Sequence, residues 1–437
     1  MEYEKWLGYR DLEYREEILH YAGVKVEELA EQFGTPLYII NEQLVRKRYK
    51  DLKQTLDLLY EKNSIHYAIK ANSNLSVLRI LNSEKASFDC TSLGEIHACF
   101  RAGIAPERII YTGNMFTNDD FQYAVENNVQ VNLDCLSQIK RLASAYDDVG
   151  KEKMTFSIRF NPEFGAGHHA HTSTAGKHIK FGILEEQMIQ AYSKAKECGF
   201  NSFGTHMHIG SGIINPQDYD KAVDKYLSTI ASMSDTLGIV FEFIDFGGGL
   251  GIPYHPEQEP LDLQGYKKYV LEKFLNLVEK GNVGEPILKI EPGRYIIAEA
   301  SVILTQVNTI KNNGYKMFVG VNAGFNTLLR PTMYGSYHHI VPCVRNKTNM
   351  VLKYDIVGPI CESGDVLGKE REMQEIKEGE YLAILDAGAY GFTMSSLYNS
   401  RPRPAEILIN EGSYYLVRKA ESFEDLFENQ KIPEHLK

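Results

Sequence analysis

From residue 42 onward the chain alternates between two spacings of apolar side chains. Over 42–61, Val45, Tyr49, Leu52, Leu56 and Leu59 recur at steps of three and four, which places them on one face of a helix. Asn41 stands where a side-chain oxygen would cap the first free amides of that helix. A short apolar run follows, His66-Tyr67-Ala68-Ile69, and ends at Lys70-Ala71-Asn72. Val77, Leu78 and Leu81 mark another helix, and Ser87-Phe88-Asp89-Cys90 another short run. Further runs of strand length lie at 108–111, 129–133, 155–160, 202–208, 240–246 and 286–290. Helical spacing separates most of them, at 93–102, 118–127, 136–147, 184–199, 217–237 and 264–280. Gly103, Gly199, Gly238 and Gly281 close four of these helices, where a left-handed C-terminal cap is expected.

Eight strand-then-helix units predict an α/β architecture with a closed (β/α)8 TIM barrel. The same alternation is compatible with an open, doubly wound sheet. Past Ala300 the pattern changes to short β-rich runs at 301–310, 315–321, 354–357, 381–385, 405–409 and 414–418, punctuated by glycine, proline and asparagine. Asn312-Asn313-Gly314 has the composition of a hairpin turn. These runs predict a C-terminal all-β domain of sandwich or barrel type. The expected division is a segment 1–39 packing with the β-domain, a barrel over 40–298, and the β-domain over 299–437.

Composition narrows the function classes. The 437 residues carry 47 basic and 58 acidic side chains, a net charge of −11, and 43% are hydrophobic. That balance excludes a disordered or fibrous chain and argues against nucleic acid or an anionic membrane as partner. No apolar run approaches the ~18–20 residues of a membrane span, and the charged start, Met1 to Glu17, lacks the apolar core of a signal peptide. The six cysteines are scattered with no C-x-x-C pair, which fits neither a zinc-ligand pattern nor a disulfide framework. A cytoplasmic protein is expected.

In a (β/α)8 barrel the chemistry lies at the C-terminal strand ends. There the chain places Lys70, Asp89, Arg159, His206-Met207-His208-Ile209-Gly210-Ser211, Gly247-Gly248-Gly249 and Glu291-Pro292-Gly293-Arg294. Backbone amides approach a phosphate closely only where no Cβ intervenes, and barrels commonly bind phosphate after strands 7 and 8. Gly247, Gly248, Gly249, Gly293 and Arg294 occupy those positions, with Ser211 as a further donor; a glycine triplet is otherwise a tight turn. Lys70 is placed for Schiff-base chemistry, unless it is an ordinary surface lysine. Glu291 is of the right type to pair with a protonated ring nitrogen, or alternatively to bridge to Arg294. His208 is suited to stack on a flat ring, against the alternative of a core histidine. His206 and His208 share a strand face, but no carboxylate completes a metal site in the sequence, so no metal is expected.

These motifs resemble the group IV, alanine-racemase-fold (fold type III) PLP-dependent amino-acid decarboxylases. The resemblance runs from about residue 24 to about 425 through Tyr67–Asn72, His208–Ser211, Gly247–Gly251, Glu291–Arg294, Arg330–Gly335, Cys361–Asp365, Asp386–Gly391 and Asn399–Pro404. Its nearest branch is that of the diaminopimelate decarboxylases, with Gly212 standing where those usually have glutamine. The resemblance implies a pyridoxal 5'-phosphate cofactor carried by Lys70, with Asp89 beside it, His208 against its ring and Glu291 at its pyridine nitrogen. It implies Ser211, Gly247–Gly249, Gly293, Arg294 and Tyr390 at the phosphate. It also implies Arg294, Arg330, Tyr334, Glu362 and Tyr390 at the substrate, and Cys361 as the proton donor. The expected partner, besides a small amino-acid substrate, is a second copy of the chain in a homodimer with shared active sites. The implied reaction is decarboxylation of meso-diaminopimelate to L-lysine. The alternative is a sister enzyme for a D-amino acid, carboxynorspermidine, ornithine or a carrier-bound amino acid, and a further one is a binding protein that has lost catalysis.

Overall fold

The structure is a computed structural model that describes residues 3–167, 174–346 and 350–437. It divides into two compact units, one of Val45–Pro253 with Pro260–Ile296, the other of Met1–Leu44, Tyr254–Glu259 and Ile297–Lys437.

The first unit is a closed barrel of parallel strands: Asn63–Ala68, Ser87–Cys90, Ile109–Tyr111, Gln130–Leu133, Thr155–Phe160, Ser202–Met207, Phe243–Asp245 and Ile287–Ile290. Their order around the ring is their order in the chain, and the last pairs with the first through Leu288 opposite Asn63. This closure excludes the open doubly wound alternative. The strands are buried almost throughout, as parallel strands covered on both faces must be. Each predicted run carries one strand, but the run 240–246 pairs only over 243–245.

The helices between them include Leu93–Arg101, Asn118–Glu126, Gln138–Ala145, Glu185–Glu197 and Asp220–Leu237. The segment predicted as one helix over 264–280 is instead Leu263–Tyr266, a wide π turn at Lys267–Leu271, and Glu272–Lys280. Gly103, Gly199 and Gly238 adopt the expected positive φ. Gly281 does not: its φ is −101°, and glycine is required there because a Cβ would lie 2.8 Å from the Leu277 carbonyl oxygen.

The second unit is built on a nine-stranded sheet. It contains the expected strands as Ser301–Asn312, Met317–Val321, Val351–Val357, Tyr381–Ile384, Ala405–Asn410 and Ser413–Arg418. Two more, Ile340–Pro342 and Val366–Gln374, were not expected from sequence. Leu37–Asn41 inserts in the middle, antiparallel to Ser301–Asn312 and parallel to Ala405–Asn410, with every residue buried. Three short strands, Leu12–Arg15, Ile18–Tyr21 and Val24–Lys25, form a separate small sheet that the sequence reading lacked. A buried ionic group ties the N-terminal segment in: Arg10 lies 2.7 Å from Asp386, 3.2 Å from Glu299, and 3.7 Å above the Trp6 ring. Among the described residues no helix is long and apolar enough to cross a membrane.

Candidate active site

Lys70 sits in the 3-10 turn Ile69–Ala71 that ends the first barrel strand. Its Nζ donates to Asp89 Oδ2 at 2.7 Å, from a lysine about one-third exposed to a carboxylate with no exposure. Burial and the negative charge of Glu291 push Asp89 up to about 7, against the opposing pull of Lys70. Glu291, after the eighth strand, goes the other way. Burial would raise it, but the His206 imidazole, 3.1 Å away, together with Lys70 and His208 holds it well below the usual carboxylate range. Thr112 donates to its second oxygen at 3.4 Å.

His208 follows the sixth strand. Its Nδ1 accepts from the Gly248 N–H at 2.9 Å, so the ring is neutral with its proton on Nε2. Burial, Arg159 and Lys70 all lower its basicity. Arg159 donates to the His208 carbonyl at 3.1 Å and lies 4.6 Å above the Phe181 ring. Asp134 accepts from the Gly182 N–H at 2.8 Å. In the sequence, Arg159 and Asp134 carry no signal beyond position at a strand's C-terminal end.

The glycine run has no room for side chains. A Cβ on Gly247 would stand 2.4 Å from the Met207 carbonyl oxygen, on Gly248 2.2 Å from that of Glu291, and on Gly249 2.8 Å from Tyr219 Oη. Gly247 and Gly249 also have φ of 67° and 105°. Arg294 is buried and donates to Ser211 Oγ at 3.1 Å, which brings two of the predicted phosphate-end residues together. A Cβ on Gly293 would crowd Ala71 and Ala68 at 3.0 and 3.2 Å.

Carboxylates that the sequence does not place near His206 are brought to it by the fold. His206 does meet carboxylates, because the barrel brings Asp245 and Glu291 from neighbouring strands; the three offer ligand atoms within 4.8 Å of one another. His208 is not part of that group. Of the histidine-rich segment, His168, His169 and His171 lie outside the described residues, and His178 is exposed.

The remaining predicted residues belong to the β-rich unit. Arg330 is 1% exposed and starts the helix Arg330–Tyr334, which includes Tyr334 itself. Cys361 and Glu362 are exposed. Asn399 meets Cys361 through its Oδ1 on the backbone N–H at 3.1 Å and its Nδ2 on Sγ at 3.2 Å. Tyr398 donates to Glu362 at 2.7 Å. Tyr390 has a positive φ of 57°.

A glycine run packed too closely on neighbouring strand ends to carry a Cβ, an amine on a strand-end turn and a buried carboxylate held low fit the phosphate, carbonyl and pyridine ends of pyridoxal phosphate. The comparisons agree. Residues 42–298 match the family described as "Pyridoxal-dependent decarboxylase, pyridoxal binding domain". The diaminopimelate decarboxylase of Methanothermobacter thermautotrophicus is 46% identical over 95% of this chain and 96% of its own. That of Aquifex aeolicus is 39% identical over 98% of each. Among solved structures, diaminopimelate decarboxylase from M. jannaschii superposes with a TM-score of 0.91 at 31% identity, covering 99% of this chain and all of that one. The Helicobacter pylori enzyme, complexed with L-lysine, gives 0.85 at 33% identity over 92% and 98%. The chain therefore belongs to the diaminopimelate decarboxylases, pyridoxal-dependent enzymes of the alanine-racemase-like fold.

Proposed function

We propose that the protein decarboxylates meso-2,6-diaminopimelate to L-lysine and CO2, with pyridoxal phosphate held at the strand ends of the barrel. The observation that carries this is the Lys70–Asp89 contact at 2.7 Å, at the strand ends that also carry Glu291, whose acidity burial opposes and His206 supports, and the close-packed glycine run. Lys70 holds the cofactor covalently through its amine. Gly247–Gly249, Ser211, Gly293, Arg294 and Tyr390 hold the phosphate. Bound there, pyridoxal phosphate supplies the electron sink for the charge left when CO2 departs. Glu291 would supply the negative charge that keeps the ring nitrogen protonated. His208, neutral because the Gly248 N–H occupies its Nδ1 lone pair, would face the ring without opposing that positive charge.

The Cys361 thiol returns a proton to the carbon that lost CO2. It is exposed in the single chain, as a residue that serves the site of a second copy must be. We read the functional form as a cytoplasmic homodimer whose active sites are shared in this way. Arg330, with Tyr334 and Arg294, takes the carboxylate at the unreacted end of the substrate, and Glu362 takes the ammonium there. Arg330 offers a cationic partner to a substrate with a second carboxylate, whereas ornithine-like substrates lose the only carboxylate they have.

The purified protein should be yellow, absorbing near ~420 nm, and borohydride should fix the cofactor to Lys70. CO2 release should be fastest from meso-diaminopimelate in a panel with D-lysine, L-ornithine and L-arginine. A colourless protein that takes up no cofactor would remove every decarboxylase reading; preference for another panel member would move the assignment to a sister enzyme.

A further inference from the structure

We infer that His338 and Tyr254 are positioning residues that aim Arg330 at the substrate's second carboxylate, an inference that rests on the role given to Arg330 above. All three residues belong to one compact unit. Arg330 Nη1 lies 2.8 Å from His338 Nε2, and its guanidinium carbon lies 4.8 Å from the centre of the Tyr254 ring. His338 has no exposure, and its Nδ1 lies 2.8 Å from the Leu385 carbonyl oxygen. The Tyr254 ring meets the His338 imidazole edge-on, at 5.4 Å and 71°.

Hydrogen-bond chemistry assigns the tautomer. A carbonyl oxygen only accepts, so Nδ1 carries the proton. A guanidinium only donates, so Nε2 presents its lone pair. His338 is therefore a neutral acceptor for a buried cation. A carboxylate in its place would orient the guanidinium equally well, but it would also neutralise the charge that an incoming carboxylate needs. The face of Tyr254 attracts a cation through its ring quadrupole, again without formal charge. Neither contact cancels the charge of Arg330, and together they restrict its plane.

The support is itself braced. His255 stacks on Tyr337 at 3.7 Å, and the Arg371 guanidinium lies 3.8 Å from the same ring centre. Two flat groups that close cannot share one face, so Tyr337 is sandwiched between them. Arg371 then donates to the His338 carbonyl at 3.1 Å. A side chain at Gly368 would stand 2.7 Å from Arg371 Nε, so glycine there leaves the space that the arginine fills. The rings of Tyr254 and His255 pack on this group through His338 and Tyr337.

The test compares L-lysine, which keeps the second carboxylate, with 1,5-diaminopentane, which lacks it. Binding of each to the cofactor-loaded enzyme is measured by calorimetry, alongside KM and kcat for meso-diaminopimelate. Wild type should prefer L-lysine. His338→Leu should reduce that preference by about tenfold and raise KM by more than it changes kcat. His338→Gln, which keeps an acceptor, should recover most of it. If His338→Leu does not fold, Tyr254→Leu, at a half-buried position, decides and should reduce the preference in the same direction. Arg330→Ala serves as reference. If it abolishes the preference while His338→Leu and Tyr254→Leu retain it, positioning is overturned. If Gln is as poor as Leu, the acceptor role is overturned. If Arg330→Ala itself keeps the preference, the carboxylate role of Arg330 fails instead.

Discussion

Asp89, Asp245 and Glu291 are three carboxylates buried at the ends of barrel strands, and their neighbours treat them differently. Burial raises all three, and Asp89 and Asp245 remain high because Glu291 is already negative beside them. Glu291 is the one held low, because the His206 imidazole hydrogen-bonds to it directly. Residue type alone did not distinguish them; the contact with His206 did. A half-buried histidine contributes to acid stability. His339 lies between Tyr337 Oη at 2.7 Å and Tyr3 Oη at 3.0 Å, and burial, with Arg371 and Arg10 nearby, lowers it to about 3. The unfolded chain takes up that proton first as pH falls through ~6.5, so the folded state loses stability from there down to about 3 and is unaffected above. The loss between pH 7 and pH 5 should be about 2 kcal/mol. Urea unfolding of wild type and His339→Gln at both pH values checks this: the variant should lose less on acidification by that amount, and parallel losses would refute it.

At the scale of elements, two kinds of glycine differ in what they tolerate. Gly238 caps its helix with φ 62° and has open space where a Cβ would go, so Gly238→Ala should cost only about 1 kcal/mol of backbone strain. Gly248 has an ordinary φ, but a Cβ there would stand 2.2 Å from a carbonyl oxygen, and backbone cannot move aside as a side chain can. Gly248→Ala should cost about 3 kcal/mol or more and weaken cofactor binding, measured by thermal unfolding and by titration with pyridoxal phosphate. Equal costs at the two positions would contradict this account. Gly281 shows the limit of reading from sequence: it follows a helix like the others, yet serves close approach to Leu277 and not a left-handed cap. The strand Val366–Gln374 was illegible for a related reason. Its Lys369-Glu370-Arg371-Glu372 stretch has no apolar alternation, and its pairing with Val351–Val357 holds it extended.

At the scale of the whole molecule, Leu37–Asn41 shows a long reach, since strands separated from it by hundreds of residues flank it on both sides. The proposed homodimer gives a test at the same scale. Lys70→Ala and Cys361→Ala should each lose nearly all turnover when pure. If the active site takes its thiol from the second subunit, mixing the two in equal amounts makes half the dimers mixed, each with one intact site of two. Activity should then return to about a quarter of wild type after subunit exchange. No recovery after demonstrated exchange would show that each chain completes its own site.

The barrel was legible because its strands and helices alternate, and the apolar period of each element is a local property that burial on a fixed face imposes. The placement of Lys70, Glu291, Gly247–Gly249 and Arg294 at strand ends was legible because a barrel delivers every strand's C-terminal end to one mouth, so order along the chain already orders that rim. Tertiary structure alone decided which of several buried carboxylates is ionised, why each glycine must lack a Cβ, and that His338 faces Arg330 with a lone pair. Those depend on atoms that meet across tens to hundreds of residues, within distances of a few ångströms that no local pattern encodes.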